Sequence, residues 1–111
     1  MVGGQSRNLD KILLNPKRFM IATILYIRGP SIMSELQRIL DISWGDLDSS
    51  IRKMKDEGYV EMRKIITPLG PRTQIRLTPL GYRRYEALLE ALEEIIKGTR
   101  TRGRKDKIQR E

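Results

Sequence analysis

The sequence predicts a mainly α fold carrying one small β-hairpin, and three observations predict it. Apolar side chains recur at helical spacing on both sides of a tight turn at Asp41-Ile42-Ser43. Two runs, at about Tyr59–Ile66 and Arg72–Leu77, flank Thr67-Pro68-Leu69-Gly70-Pro71 and read as paired strands. A final apolar-periodic stretch then runs from about residue 78 to 96. In that order the elements make a winged helix-turn-helix with a long C-terminal dimerisation helix. Such an arrangement is built to lay one helix in a major groove with a loop beside it.

Each element has its own signals. Residues 1–14 read as a flexible N-terminal leader, most plainly the first eight. Asn15 then offers a capping side chain, and Pro16 takes the first helical position. Phe19, Ile21, Ala22, Ile24, Leu25 and Ile27 make this first helix apolar around much of its surface, and Gly29-Pro30 ends it. A second helix spans roughly Met33 to Leu40, with Leu36, Ile39 and Leu40 facing inward. Ser43 caps a third helix at about 43–57, and Asp46 three residues on resembles the acidic arm of a capping box. Leu47, Ile51 and Met54 form its buried stripe, opposite Gly45, Ser49, Arg52 and Asp56, with Lys53 beside that outer face.

In the hairpin, Thr73, Ile75 and Leu77 alternate with Arg72, Gln74 and Arg76, a half-buried strand with a basic outer face. Thr78-Pro79 starts the last helix. Tyr85, Leu88, Leu92 and Ile95 form a short heptad-like seam on it, widened by Leu89 and Ile96. That seam, with Phe19 on the over-apolar first helix, points to a homodimer; the competing use of the seam is to cover the domain's own core. Lys97-Gly98 ends the helix. Residues 97–111 follow as a basic, disordered tail, leaving 15–96 as the structured domain.

Composition narrows the function. A chain of 111 residues is one domain by length. It has no cysteine and no histidine, which removes disulfides, thiolate chemistry and the commonest general base and metal ligand. No catalytic set, metal site or cofactor site can be assembled, so an enzyme is the last choice. The absence of an apolar run of about 18 residues or a signal-peptide core predicts a cytoplasmic protein with no membrane partner. The net charge is +8. Seven basic side chains against two acidic ones put +5 of it in residues 97–111. A tail of that kind often touches nucleic acid, or only keeps the chain soluble.

Double-stranded DNA is the partner this order of elements implies. The third helix supplies Trp44, Gly45, Asp48, Ser49, Arg52 and Lys53 as candidate contacts. Gly45 permits close backbone approach, Ser49 can donate or accept, and Arg52 can reach a guanine or a phosphate. Asp48 either accepts from a cytosine amino group or is an electrostatic cost. Trp44 either wedges against the sugar-phosphate backbone or covers the edge of the core. The wing, at about 67–72, supplies Arg72 for the minor groove, with Arg63, Lys64 and Arg76 as phosphate contacts. The plainer reading of those four is a hairpin edge kept charged against aggregation.

Leu40-Asp41-Ile42-Ser43-Trp44-Gly45-Asp46-Leu47-Asp48-Ser49-Ser50-Ile51-Arg52-Lys53-Met54, followed by Glu57-Gly58-Tyr59-Val60, resembles the helical core of small MarR/ArsR-like winged-helix transcriptional regulators. Pro71-Arg72-Thr73 and Leu77-Thr78-Pro79-Leu80-Gly81 are similar to the wing and last-helix start of the compact, archaeal-type members. The likeness covers about residues 15–96. It implies a dimeric repressor or activator held by its terminal helices, touching DNA through Trp44 to Arg52 and Arg72. The chain departs from the pattern at Asp46, where relatives commonly carry Asn, and at Ser50, where they often carry His or another donor. With no Cys or His to sense metals or oxidants, any effector would be an apolar or anionic small molecule. Two further readings are open: an architectural binder with little sequence preference, and a winged helix used as a protein-interaction module.

Overall fold

The computed structural model describes residues 9–110, with side chains up to Arg102. Helix α1 (Pro16–Arg28) leads to a short strand β1 (Ser31–Ile32), then to α2 (Met33–Leu40) and α3 (Trp44–Asp56). Strands β2 (Val60–Thr67) and β3 (Gly70–Leu77) form the wing, and α4 (Pro79–Arg110) closes the chain.

The helix ends follow from their caps. Asn15 Oδ1 accepts from the Lys17 and Arg18 amides at 3.1 Å each, and Pro16 occupies the position whose N–H would have no partner. Gly29, at φ 82°, turns the chain out of α1. Glu35 accepts from the Ile32 amide at 3.0 Å at the start of α2. Asp41 ends α2 in the left-handed conformation, at φ 53°. Ser43 Oγ accepts from the Asp46 amide at 3.1 Å and starts α3.

The hairpin is larger than the sequence predicts. Thr67 pairs with Gly70 and Ile66 with Pro71, so only Pro68-Leu69 forms the turn, and Gly70-Pro71 belong to β3. The sheet is also three-stranded, in the order β1-β3-β2. Ser31 pairs with Ile75 and Ile32 with Gln74, both antiparallel. Two residues after Gly29-Pro30 are too few to show alternation, which hides β1 from a periodicity reading.

One core lies between the helices and the inner face of this sheet. Ile21, Leu25, Leu36, Leu47, Ile51, Met54, Ile75 and Leu88 are all fully buried in it. Each such side chain contributes about 1.5–3 kcal/mol of burial free energy. Ile39, expected inside, is exposed on α2, and Leu36 is the only fully buried residue of that short helix. Leu13 is also fully buried, and Asp10 caps its turn by accepting from the amides of Ile12 (2.8 Å) and Leu13 (3.1 Å). Residues 9–14 are therefore packed rather than a flexible leader; residues 1–8 lie outside the described residues.

Two further expectations change at α4. Tyr85 and Leu88, expected in a dimer seam, are buried in the domain's own core. The helix also runs on to Arg110, through the point where the sequence predicts an end at Ile96 and a disordered tail. No proline follows Pro79, and a lone Gly98 lowers helix propensity by only about 1 kcal/mol. Thr99 Oγ1 donates to the Ile95 carbonyl at 2.9 Å across that point. The basic side chains beyond Arg102 lie outside the described residues.

The first turn of α4 is fixed against the α3–β2 corner by contact between backbones. The Thr78 amide donates to the Tyr59 carbonyl at 3.0 Å, and Thr78 Oγ1 donates to the Gly58 carbonyl at 2.6 Å. A Cβ at Gly81 would stand 2.1 Å from the Tyr59 carbonyl oxygen. Gly81→Ala is therefore expected to destabilise the fold by about 3 kcal/mol in urea unfolding. Gly98→Ala, with nothing within 4 Å of the added methyl, should be neutral or slightly stabilising. Equal effects of the two would remove the close approach as a constraint.

Tyr59 also donates its hydroxyl to Asp10 Oδ2 at 2.6 Å. Burial, then the Asp10 carboxylate, push its pKa up to about 12 from an ordinary 10.0. A raised folded-state pKa means that this group's contribution is complete below pH 10 and is lost as pH rises towards 12. Ultraviolet titration should show a tyrosine transition near 12 that Tyr59→Phe abolishes.

Candidate nucleic-acid interface

Helix α3 buries Leu47, Ser50, Ile51 and Met54, so its opposite face is turned to solvent. Gly45, Ser49, Arg52 and Lys53 lie exposed on that face, with Asp48 half-buried on its flank. Trp44, at the first helical position, is 53% exposed and does not cover the core. Ser50, buried beside Ile51, is withdrawn from solvent.

The two acids that argue against an anionic ligand are each held by a cation. Asp46 Oδ2 accepts from Lys17 Nζ of α1 at 2.7 Å, and this bond holds its carboxyl below the usual carboxylate range. The Asp46 side chain thus reaches across to α1 instead of completing a capping box. Asp48 Oδ2 accepts from Arg52 Nε at 2.7 Å, one helical turn away. Both pairs are exposed, where such contacts are worth about 0–1 kcal/mol, so Lys17 and Arg52 can exchange them for phosphate at little cost.

On the wing, Arg76 pairs with its cross-strand neighbour Glu61 at 2.9 Å. Arg63, Lys64, Arg72 and Lys53 of α3 have no carboxylate partner among the described residues. Arg72 folds toward the turn, its Nη1 donating to the Pro71 carbonyl at 2.8 Å. Lys64 pairs with Thr73 and Ile65 with Arg72, so Lys64 leaves one face of the ribbon while Arg63 and Arg72 leave the other.

Helix and wing meet at a cleft of about 280 Å³ lined by Ile32, Met33, Trp44, Lys64, Pro71 and Arg72. The start of α3 and the wing cations Lys64 and Arg72 therefore belong to one surface. Sequence reasoning missed three of its parts. Lys17 lies 29 positions from Asp46, a pairing that no local pattern encodes. Ile32 and Met33 reach the cleft only because β1 pairs with β3. Ile66 is a strand residue and Leu69 a turn residue, as the sequence predicts, but nothing in the pattern shows that they stand 83% and 82% exposed.

The expected dimer residues divide. Phe19 packs on Tyr85 with ring centroids 5.7 Å apart, and Tyr85 hydrogen-bonds Thr23 at 2.7 Å, all within the one chain. Leu89 and Leu92 are half-buried against the core. Ile95 is half-buried and Ile96 is 47% exposed, beyond the body of the domain. Among the described residues no helix is long and apolar enough to cross a membrane, and no group of three or more acids could hold a metal.

Residues 17–96 match the family model of the winged helix DNA-binding domain. Among solved structures, the chain is similar to a transcriptional regulator homologue protein from Pyrococcus horikoshii OT3. The two share 35% identity over 79% of this chain and 87% of that one, with a TM-score of 0.75. A transcriptional regulator of the MarR family from Enterococcus faecalis V583 has the same fold at 24% identity. That match covers 93% of this chain and 89% of the other, with a TM-score of 0.72. No functionally curated protein matches the sequence. The cap-defined helix pair, the three-stranded wing and the match over residues 17–96 agree: the chain belongs to the winged-helix DNA-binding domain family and has the fold of the MarR-type transcriptional regulators.

Proposed function

We propose that this protein is a dimeric transcriptional regulator that docks α3 in the major groove and its wing at the neighbouring minor groove. The observation that carries the reading is the shared surface of α3 and wing, where Trp44, Lys64 and Arg72 line one cleft. Lys53, Arg63, Lys64 and Arg72 supply positive charge without a carboxylate partner among the described residues. Gly45 and Ser49 stand where the first half of a recognition helix meets base edges. The relative from Pyrococcus, itself described as a transcriptional regulator homologue, supports the regulatory role.

Dimerisation is assigned to the outer half of α4, where Leu92, Ile95 and Ile96 continue an apolar edge past the protomer's core. The wing cations also favour a second reading, an architectural binder driven by phosphate contacts alone. One experiment separates the two: affinity for a selected duplex and for a random one across a salt series. A regulator should bind the selected site about 10³-fold or more tightly. Near-equal affinities with a steep salt slope identify the architectural binder, and no binding to either duplex overturns both readings.

Arg72→Ala should weaken binding to the selected duplex by about 1–2 kcal/mol, and unchanged affinity would remove the wing from the interface. Ile95→Glu combined with Ile96→Glu should sediment as a monomer with an unchanged melting profile. A persisting dimer would place the interface elsewhere.

A further inference from the structure

Resting on the DNA-binding reading, the geometry points to a second task for the wing: we propose that Ile66 and Leu69 act as an apolar wedge that enters a base step from the minor groove and bends the duplex. The two side chains are 83% and 82% exposed at the end of the β2–β3 ribbon. The seven residues from Ile65 to Pro71 carry no charge. A hairpin end shaped only by solubility would hold Lys, Glu or other polar groups there, because exposed apolar strand ends invite aggregation. Here the charge is displaced to the flanks, at Arg63, Lys64 and Arg72, and the apolar groups stand foremost.

The tip is held rigid. Thr67 Oγ1 accepts from the Leu69 amide at 3.2 Å and donates to the Gly70 carbonyl at 2.7 Å. Pro68 and Pro71 fix two φ angles around the turn, and Gly70, at φ 107°, takes the conformation that other residues resist. A preset tip loses little entropy on insertion.

The cations complete the fit. Lys64 leaves one face of the ribbon and Arg63 the other, so each phosphate wall of a minor groove would have a partner. Apolar side chains driven into a step from that groove unstack the bases and kink the helix toward the major groove. That bend would bring more duplex against the cleft lined by Trp44 and Met33.

The test uses the full chain and a selected duplex of about three helical turns, labelled at both ends for energy transfer. 2-Aminopurine is placed in turn at each step near the wing. Wild type should bend the duplex by about 20° or more and brighten the probe at one step per half-site. Ile66→Ser with Leu69→Ser should lose both signals and bind about tenfold more weakly, with the salt slope retained. Both positions are exposed, so the variant should melt like wild type.

Equal bending and probe fluorescence in wild type and variant would overturn the wedge and leave the DNA-binding reading standing. Wild-type self-association lost in the variant, with the DNA signals unchanged, would also overturn it and mark the tip as a contact between copies. Failure of wild type to bind any duplex would remove the DNA-binding reading and the wedge together.

Discussion

The tightest constraint on this fold is the approach of α4 to the Tyr59 carbonyl. No side chain fits at position 81, because even a methyl group would stand 2.1 Å from that oxygen. With the gap closed, the Thr78 amide and hydroxyl reach the carbonyls of Tyr59 and Gly58, and Tyr59 in turn reaches Asp10. One corner thus joins the N-terminal segment, the end of α3, the start of β2 and the start of α4. Apolar burial supplies most of the stabilisation, but burial is non-directional. The direction of α4 relative to α3 is set by these short polar contacts between backbones.

The interface above that corner is arranged by sign as much as by shape. The two acids in the first half of α3 are each matched within the protein, Asp46 by Lys17 and Asp48 by Arg52. The wing is the reverse, with one acid paired to Arg76 and three cations left over. Phosphate would therefore be attracted first by the wing. The α3 surface, near neutral as long as its pairs hold, would discriminate by hydrogen bonding and fit. Such a division suits a protein whose non-specific affinity must stay modest for its sequence preference to matter.

Much of this was legible in the sequence, and the failures share a cause. Asn15-Pro16, Ser43 and Thr78-Pro79 mark helix starts through hydrogen bonds within three residues, and all three hold. Pairings across long separations left no such mark: β1 with β3, Lys17 with Asp46, Asp10 with Tyr59. The apolar seam of α4 has the predicted spacing, but at Tyr85 and Leu88 the competing use holds and the seam covers the domain's own core, since periodicity tells which face is buried and not what buries it. Alternation in the hairpin gave the faces of Arg72, Gln74 and Arg76 correctly. It could not show that the wing's apolar end projects past the core, because exposure there depends on how far the ribbon outruns the helices.

The same corner ties the proposed dimer to the spacing of its sites on DNA. About 16 residues separate Pro79 from Ile95, an arm of roughly 24 Å at 1.5 Å per residue. If two copies cross near Ile95 and Ile96, their corners can stand up to about 48 Å apart, which exceeds one helical turn of about 34 Å. The arms must then meet at an angle, not end to end. Because α4 has no proline after its first residue and each α3 is fixed to its own arm at Gly81, that crossing angle would set the separation of the two proposed recognition helices. A ligand that changed the angle would alter operator fit without touching a single DNA contact. In the proposed dimer, Ile95 and Ile96 would therefore be the place where occupancy of the dimer interface and occupancy of DNA become thermodynamically linked.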